Sequence, residues 1–421
     1  MEIGPYIKLH RIKQEMTQAE LAEGIVSYAY LSKIENQKTE ASPNVISLLC
    51  TRLGIQLNNE TDETIRRKCQ EWYDMLFDVN DKEEIIKRYQ ELNDLMYEHH
   101  SDSLVMFEIH KVRYFLVIGE MEEALNQVNK LAEMSGTFDS LHSFYWYKFK
   151  GNYSSLTSEF NQALRMYKLA EEKLNQLDLS EDAVADIQYV IAVTHSKLRN
   201  TLEAIDYAEK AIDTFRKQYN FVRCAQCHNL LGISFRRIRM YDKAIKHFHL
   251  ALHLGELNKN RQLIQLTNQN LGYLYSTKGE SKEAIKHYRE IIYDEEVDLV
   301  ERLAAISSLI KEYNEISNYE EARKVIDYGL TMIDQFSDKN EFKLFYYVIH
   351  TYHYSLNKDH DKLEVLLIDN FIPYLKQHKD YANIVVYANL LAKHYEQFKK
   401  YKDAAKYYKM ANLAYEQIAV I

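Results

Sequence analysis

Two groups of side chains have the types and spacing of a metal or redox site. Cys224 and Cys227 form a CxxC pair, and His228 follows directly. Zinc requires four ligands and no second pair appears in the sequence, so small packing residues are the better interpretation. His249 and His253 have the i, i+4 spacing of a metal-binding helix but lack the glutamate of an HExxH motif. A solvated or packing role is therefore favoured for the histidines.

Motifs for catalysis are missing from the sequence. It contains no phosphate-binding loop, nucleophile elbow or dinucleotide fingerprint, so we expect no enzymatic activity and no cofactor. Four cysteines are too few for a disulfide scaffold in 421 residues, which indicates a reducing compartment. There is no signal-peptide core and no apolar run of 18 residues. We therefore expect a soluble, cytoplasmic protein without membrane contact.

The composition predicts an all-α fold. The chain has only 11 glycines and 3 prolines, the residues that interrupt helices and punctuate turns. Its length exceeds that of one compact domain, and 46% hydrophobic residues provide for a substantial core. Short connections between packed helices follow from this composition.

Residues 1–60 carry start and stop signals for four short helices. The start signals are Pro5 for a helix over 5–14, the Thr17–Glu20 capping box, Ser27 and Ser42–Pro43, and the fourth helix runs to Leu53 and stops at Gly54. Gly24 relieves a tight turn between the second and third helices. This arrangement matches a helix-turn-helix unit. The polar segment 56–62 is the predicted boundary of this head domain.

A repeat of about 40 residues covers the rest of the chain. Seven alanines fall in the same local context, with an aromatic residue often four positions on: Ala124, Ala163, Ala204, Ala244, Ala284, Ala322 and Ala404. The missing member of the series falls at Lys362–Leu363. Twelve residues before these alanines lie further small residues: Gly151, Ala192, Gly232, Gly272 and Ala392. One more copy fits at 61–98, which gives about nine repeats over 61–421.

Small residues at two fixed positions allow the two helices of a pair to pack closely, and each pair must stack on the next to bury its apolar face. The array is similar to tetratricopeptide repeats, although its period is longer. This resemblance implies a right-handed superhelical solenoid behind the helix-turn-helix bundle.

Residues 17–36, TQAELAEGIVSYAYLSKIEN, resemble the Cro/C1-type helix-turn-helix. Together with the array, they resemble the RRNPP family of peptide-pheromone regulators of Gram-positive bacteria, in particular its NprR and PlcR branch. The resemblance implies a cytosolic receptor for a short re-imported signalling peptide, held in the groove of the repeats. Peptide binding would change the oligomeric state or geometry, and with it the binding of DNA.

In such a head, the third helix enters the major groove. Leu31 and Ile34 face the core, which leaves the opposite side of the helix to meet base edges and the residues after it to meet phosphates. The expected DNA contacts are Ser27, Tyr28, Ala29, Ser32, Lys33, Asn36 and Lys38. By resemblance, Gln18 contacts a phosphate, whereas Arg11 and Glu35 form a structural ion pair.

The charge of the head predicts weak DNA binding by a monomer. Residues 1–60 contain six Lys/Arg and seven Asp/Glu, and the whole chain carries −9. A cluster of basic residues is the usual sign of a domain that binds DNA electrostatically. We therefore expect a homodimer or higher homo-oligomer that presents two heads to two half-sites about 34 Å apart on double-stranded DNA.

In the array, the first helix of each pair is expected to line the groove. With the small residue at position 8, positions 2, 5, 6, 9 and 12 face a bound peptide. The candidate residues are Asn152, Tyr189, Gln226, Asn229, Arg236, Gln269, Asn270, Tyr273, Asn314, Tyr352 and Asn389. Side-chain amides both donate and accept, which suits an extended peptide backbone, and an arginine can hold a carboxylate.

The sequence is compatible with two functions. The first is a quorum-sensing transcription regulator gated by a peptide. The second is a repeat protein that sequesters or inhibits a phosphorelay response regulator, as in sporulation control, which the acidic array and the family resemblance favour. The two activities can coexist in one ligand-switched protein.

Overall fold

The computed structural model describes residues 3–54, 62–77, 81–98, 103–335 and 342–420. All regular structure in these ranges is helical, which confirms the predicted fold class. None of the described helices is long and apolar enough to cross a membrane. The chain forms two compact units, Met1–Ile238 and Arg239–Ile421. Apart from Asp62, the predicted boundary segment 56–62 lies outside the described residues.

Four helices form the head: α1 (Ile3–Lys13), α2 (Gln18–Ala22), α3 (Tyr28–Glu35) and α4 (Pro43–Arg52). The predicted capping signals are confirmed. Thr17 and Glu20 close a full capping box on α2, the Ser27 side chain accepts the Tyr30 amide, and Gly54 has a φ of +71°. The first helix begins two residues earlier than expected, because Pro5 is tolerated anywhere in a first turn, where no amide donor is needed.

In its described residues, the first unit has nine further α-helices: α5 (Asp62–Met75), α6 (Lys82–Glu98), α7 (Leu104–Ile118), α8 (Met121–Ala132), α9 (Ser140–Leu156), α10 (Phe160–Leu174), α11 (Glu181–Lys197), α12 (Thr201–Lys217) and α13 (Phe221–Arg237). The described helices of the second unit are α14 (Tyr241–Leu257), α15 (Arg261–Lys278), α16 (Ser281–Ile292), α17 (Leu299–Glu315), α18 (Tyr319–Asp334), α19 (Lys343–Leu356), α20 (His360–Val365), α21 (Ile372–Gln377), α22 (Tyr381–Gln397) and α23 (Tyr401–Val420). With α20 and α21 counted together, the described helices after the head follow one another in nine pairs, as the repeat predicted.

The small residues of the repeat allow the two helices of a pair to pack closely, as their spacing predicted. All seven repeat alanines lie on second helices and are at most 3% exposed. A Cβ on Gly151 would lie 2.6 Å from the ring of Tyr167, and one on Gly272 would lie 2.5 Å from the ring of Tyr288. Both tyrosines follow a repeat alanine by four residues. The aromatic ring of the second helix therefore occupies the space that glycine leaves on the first.

A single left-handed residue ends the first helix of many pairs or joins one pair to the next. The non-glycine residues in this conformation within the array are Ser158, Arg199, Tyr219, Arg239, Lys259, Ser317, Lys358, Lys379 and Lys399, with φ between 51° and 64°. Gly119 and Gly279 occupy the same place in their turns. Because L-residues are disfavoured there, each such turn carries backbone strain.

One of the two repeats without the alanine has an irregular second helix. Leu363 occupies the alanine's place and is buried, and a π-helical segment, Leu366–Phe371, separates α20 from α21. Pro373 follows in the first turn of α21, where it removes a backbone donor. The failure of the sequence pattern at this point reflects a real break in the regular helix.

In the first unit, one core joins the head to the first repeats. Its buried residues run from Tyr6 and Leu31 in the head through Trp72 and Phe107 to Phe149. Head and repeats thus share buried surface.

Candidate functional site

The predicted base-reading residues lie on the exposed side of α3. Tyr28 is 67% exposed, Ala29 and Lys33 are also exposed, and Ser32 is half-buried. The opposite side carries the buried Leu31 and Ile34. Ser27 is exposed at the cap, where its Oγ lies 3.2 Å from the Tyr30 amide nitrogen. This exposed side of α3 is the candidate DNA-binding surface.

A buried carboxylate holds the first three helices of the head together. Glu35 is fully buried and accepts hydrogen bonds from Arg11 Nε at 2.6 Å and Arg11 Nη2 at 3.0 Å. This confirms the expected ion pair. Gln18 also donates from Nε2 to Glu35 at 2.7 Å. One amide hydrogen of Gln18 is thus engaged within the head, and the second remains for the predicted phosphate contact.

The end of α3 is tied to the repeats through a lysine. Lys8 donates to Asn36 Oδ1 at 3.3 Å and to the carbonyl of Glu133, just after α8, at 3.1 Å. Asn36 itself donates to the Ser32 carbonyl at 2.8 Å. The predicted phosphate residue Asn36 therefore has structural partners, while Lys38 is exposed.

A second link between head and repeats is a buried ion network. Lys13 of α1 forms a salt bridge with Glu108 of α7, which is 2% exposed. Lys111 lies 3.5 Å from the second carboxylate oxygen, and Gln127 of α8 donates to it at 2.8 Å. Burial alone would raise the pKa of Glu108, but Lys13 and Lys111 lower it to about 2. The carboxylate is therefore charged and fully engaged at neutral pH.

In the first unit, Tyr189 and Gln226 come together around a charged cluster. Asp186 on α11 pairs with Lys148 of α9 at 2.6 Å and with Arg223 of α13. Arg223 also donates to Gln226 Oε1 at 3.0 Å, and its guanidinium carbon lies 4.4 Å from the ring centroid of Tyr189. Burial would raise the pKa of Asp186, and the neighbouring cations lower it instead. This surface presents both signs of charge beside an amide and an aromatic ring.

The other candidates in the first unit are more enclosed. Asn152 accepts a hydrogen bond from the Tyr167 hydroxyl at 2.8 Å, so it helps to join α9 to α10. Asn229 is only 3% exposed, and Arg236 is half-buried.

In the second unit, two neighbouring amides have atoms without partners. Gln269 Oε1 and Asn270 Nδ2 on α15 are buried and make no hydrogen bond to the described residues. Tyr273, one turn on, is 52% exposed. An acceptor and a donor side by side match the N–H and C=O of an extended chain.

The remaining candidates of the second unit lie on three helices. Asn314 on α17 and Asn389 on α22 are half-buried, and Tyr352 on α19 is 6% exposed. Burial raises the pKa of Tyr352, and the charges of Glu315 and Glu312 raise it further.

The predicted set of groove residues left out three charged side chains that the repeat register also places toward the groove. These are Lys148 at position 5, Asp186 at position 2 and Lys311 at position 9. That set favoured amides, arginine and aromatic residues, so ion pairs between neighbouring repeats were missed. The register itself, applied to charged residues, identifies all three.

The two cysteines of the CxxC pair lie inside the helix packing. Cys224 is 4% exposed and Cys227 is fully buried. Burial raises the pKa of Cys227 to about 12, so the thiol form prevails at neutral pH. This supports the packing interpretation. His249 and His253 are both exposed on α14, and the described residues contain no cluster of three metal-ligating side chains.

Two family descriptions match the chain. Residues 7–58 match "Helix-turn-helix", and residues 146–355 match "Soluble NSF attachment protein, SNAP". The transcriptional activator NprA of Geobacillus stearothermophilus is 34% identical over 398 residues, which cover 93% of this chain and 98% of NprA. Response regulator aspartate phosphatase I of Bacillus subtilis (strain 168) is 23% identical and covers 83% of this chain and 90% of its own.

Solved structures share the fold. The apo form of the quorum sensor NprR from B. thuringiensis has a TM-score of 0.71 at 19% identity, covering 84% of this chain and 99% of that one. NprR in complex with its cognate peptide NprX has a TM-score of 0.54 at 20% identity, covering 84% and 98%. The helix-turn-helix head and the tetratricopeptide-like repeats expected from the sequence agree with these matches.

Proposed function

Because this chain belongs to the RRNPP family of regulators, as its identity with NprA over nearly the whole length shows, we propose that it is a transcription regulator whose DNA binding is switched by a short signalling peptide. The head reads DNA through α3, and the first helices of the repeats hold the peptide. The protein acts in the cytoplasm as a homo-oligomer and performs no catalysis itself.

The proposal that the repeats bind a peptide rests on the pair of unpartnered amide atoms on α15. A buried polar atom without a hydrogen bond costs about 1–3 kcal/mol, so Gln269 and Asn270 are destabilising unless a ligand satisfies them. One peptide unit offers the complementary donor and acceptor. Both residues also occupy predicted groove positions.

Calorimetry with synthetic peptides tests this site. The peptides are taken from short secreted precursors encoded beside the gene. Gln269→Leu and Asn270→Leu are each expected to weaken binding about tenfold or more, because each removes a hydrogen bond to the peptide backbone. Asn412→Leu, at an exposed position on α23, is the matched control. Equal affinity in all three variants would contradict the site.

The DNA-binding half rests on the exposed side of α3. Fragments selected from a genomic pool by the wild-type protein serve as the probe in a mobility-shift assay. Tyr28→Ala combined with Lys33→Ala is expected to abolish the shift without loss of helix content, since both side chains are exposed. Retained binding would exclude α3 as the reading helix. Light scattering with and without peptide then gives the oligomeric state on which the switch depends.

A second candidate function is binding of a response regulator, favoured by the acidic charge outside the head and by the similarity to an aspartate phosphatase of response regulators. A pull-down of purified response regulators without peptide tests it. Capture that a peptide reverses supports a second ligand-switched activity, and no capture excludes it.

A further inference from the structure

Lys311 on α17 is a half-buried cation without an anionic partner among the described residues. Its ammonium nitrogen lies 5.6 Å from the ring centroid of Tyr387 on α22. Within the described part of the chain, no carboxylate lies within salt-bridge distance of it. Burial lowers the pKa of Lys311, while the more distant charges of Asp380 and Glu312 act in the opposite direction. A buried ammonium ion is costly unless it is paired.

The hydroxyl groups of Ser307 on α17 and of Tyr387 itself also lack a hydrogen-bond partner among the described residues. Tyr387 is fully buried, Ser307 is 6% exposed, and neither hydroxyl makes a hydrogen bond to the described residues. Ser307 lies one helical turn before Lys311, so the two side chains share a face of α17. Hydroxyl groups on protein side chains are normally satisfied when they are buried. Two unsatisfied hydroxyl groups and one ammonium group without an anionic partner in the described residues thus lie on α17 and α22.

We propose that Lys311, Tyr387 and Ser307 form a binding site for a carboxylate group of the signalling peptide. This inference rests on the proposed function and adds the chemical class of one peptide group. A carboxylate offers about four lone-pair positions, enough for one ammonium and two hydroxyl donors. Asp380 and Glu312 add negative charge nearby, which favours a singly charged carboxylate over a doubly charged phosphate.

The position of Lys311 in the repeat supports a role toward a ligand. Ser307 and Lys311 occupy positions 5 and 9 of their helix, which the register places toward the bound peptide. The unpartnered amides of Gln269 and Asn270 stand at positions 5 and 6 of α15, the first helix of the preceding pair. The amides suit the backbone of a peptide, and the Lys311 site suits a negative charge that the same peptide carries.

Competitive amine labelling measures the site directly. The full-length protein is treated with trace acetic anhydride, and mass spectrometry gives the labelling rate of each lysine. N-acetylglycine imitates a C-terminal carboxylate, N-acetylaspartate diamidated at its main chain imitates an acidic side chain, and N-acetylglycinamide is the uncharged control. Either carboxylate is expected to slow the labelling of Lys311 several-fold, with no change at the exposed Lys409. The compound that protects at lower concentration identifies the source of the carboxylate.

Two variants separate a binding role from a structural one. Tyr387→Phe removes only the unsatisfied hydroxyl and is expected not to lower the thermal midpoint, while it weakens protection by the carboxylate about tenfold. Lys311→Met is expected to raise the midpoint, because it removes a partly buried charge that has no anionic partner in the described residues. Tyr415→Phe, at a side chain 64% exposed, is the matched control and should change neither property.

Equal labelling of Lys311 with and without carboxylates overturns the proposal, as does a Lys311→Met protein less stable than wild type. If a peptide binds by calorimetry but carboxylates do not protect Lys311, only this inference fails. If carboxylates protect Lys311 but no peptide binds, the site stands and the proposed function fails.

Discussion

The ion pair between Lys13 and Glu108 predicts a large effect from one substitution in the head. Lys13→Met keeps most of the side-chain volume and removes the ammonium group. It leaves Glu108 charged, 2% exposed and without its head partner. Since Lys13 lies on α1 and Glu108 on α7, the loss weakens the contact of the head with the first repeats.

The magnitude follows from the burial of the pair. Removing one partner of a buried ion pair costs about 3–5 kcal/mol. Lys111 remains 3.5 Å from the carboxylate and Gln127 still donates to it, so we expect the lower end, about 3 kcal/mol. For a unit of this size, each kcal/mol shifts the midpoint by about 2–4 °C. The thermal midpoint of the first unit should therefore fall by about 6–12 °C.

Differential scanning calorimetry at pH 7 is the assay, with Lys210→Met as the matched control. Lys210 pairs with Asp206 on the surface, where both side chains are more than half exposed, so its loss should change stability by less than about 1 kcal/mol. The pH dependence adds a second test. The pKa of Glu108 is about 2 in the folded state and about 4.3 in an unfolded chain. Its contribution is therefore complete above pH 5 and disappears as the pH falls toward 2.

The difference between wild type and Lys13→Met should accordingly narrow in acid. The reasoning would be refuted if Lys13→Met lowered the thermal midpoint no more than Lys210→Met does. In that case the burial of the Glu108 charge would not depend on its partner in the head.

Three further predictions concern the repeats and the head. Gly272→Ala should destabilise the second unit by about 1–3 kcal/mol in thermal unfolding, because the new Cβ meets the Tyr288 ring; Gly136→Ala, where the Cβ meets nothing within 4 Å, should not. At Lys259, with φ of 51°, a glycine variant should be about 1 kcal/mol more stable than an alanine variant in urea unfolding, and equal stability would show that the turn is unstrained. Thr17→Ala should cost about 1 kcal/mol through loss of the capping box on α2, with hydrogen exchange faster in α2 than in α4; uniform exchange would contradict a local cap.

Much of the fold was predictable because its signals are local. A helix cap depends on one side chain and an amide two or three residues on, so Ser27 and Ser42 marked their helices correctly. The repeat was visible because close helix packing permits only small residues at two positions, as Gly151 and Gly272 show against their tyrosines.

The parts that escaped prediction depend on contacts far apart in the sequence. Lys13 and Glu108 are 95 residues apart, and nothing local to either indicates the other. The Asp186 cluster joins three helices from consecutive pairs. The register places Lys148 and Asp186 but not Arg223, which precedes position 1 of its helix, and the pairing of the three needed the structure. The irregular helix after Val365 was marked only by an absent alanine.

The core that the head shares with the first repeats also sets an order of events during synthesis. Chains grow at about 5–20 residues per second, so roughly 5–20 s separate the end of α4 from the emergence of Phe149. For the first half of that interval the head lacks Glu108, and until its end the head lacks some of the apolar residues that complete its core. A nascent or prematurely ended chain would therefore carry α3, the proposed DNA-reading helix, on an unfinished support. On the proposed function, we expect the head to become competent to read DNA only after the first repeats have been made.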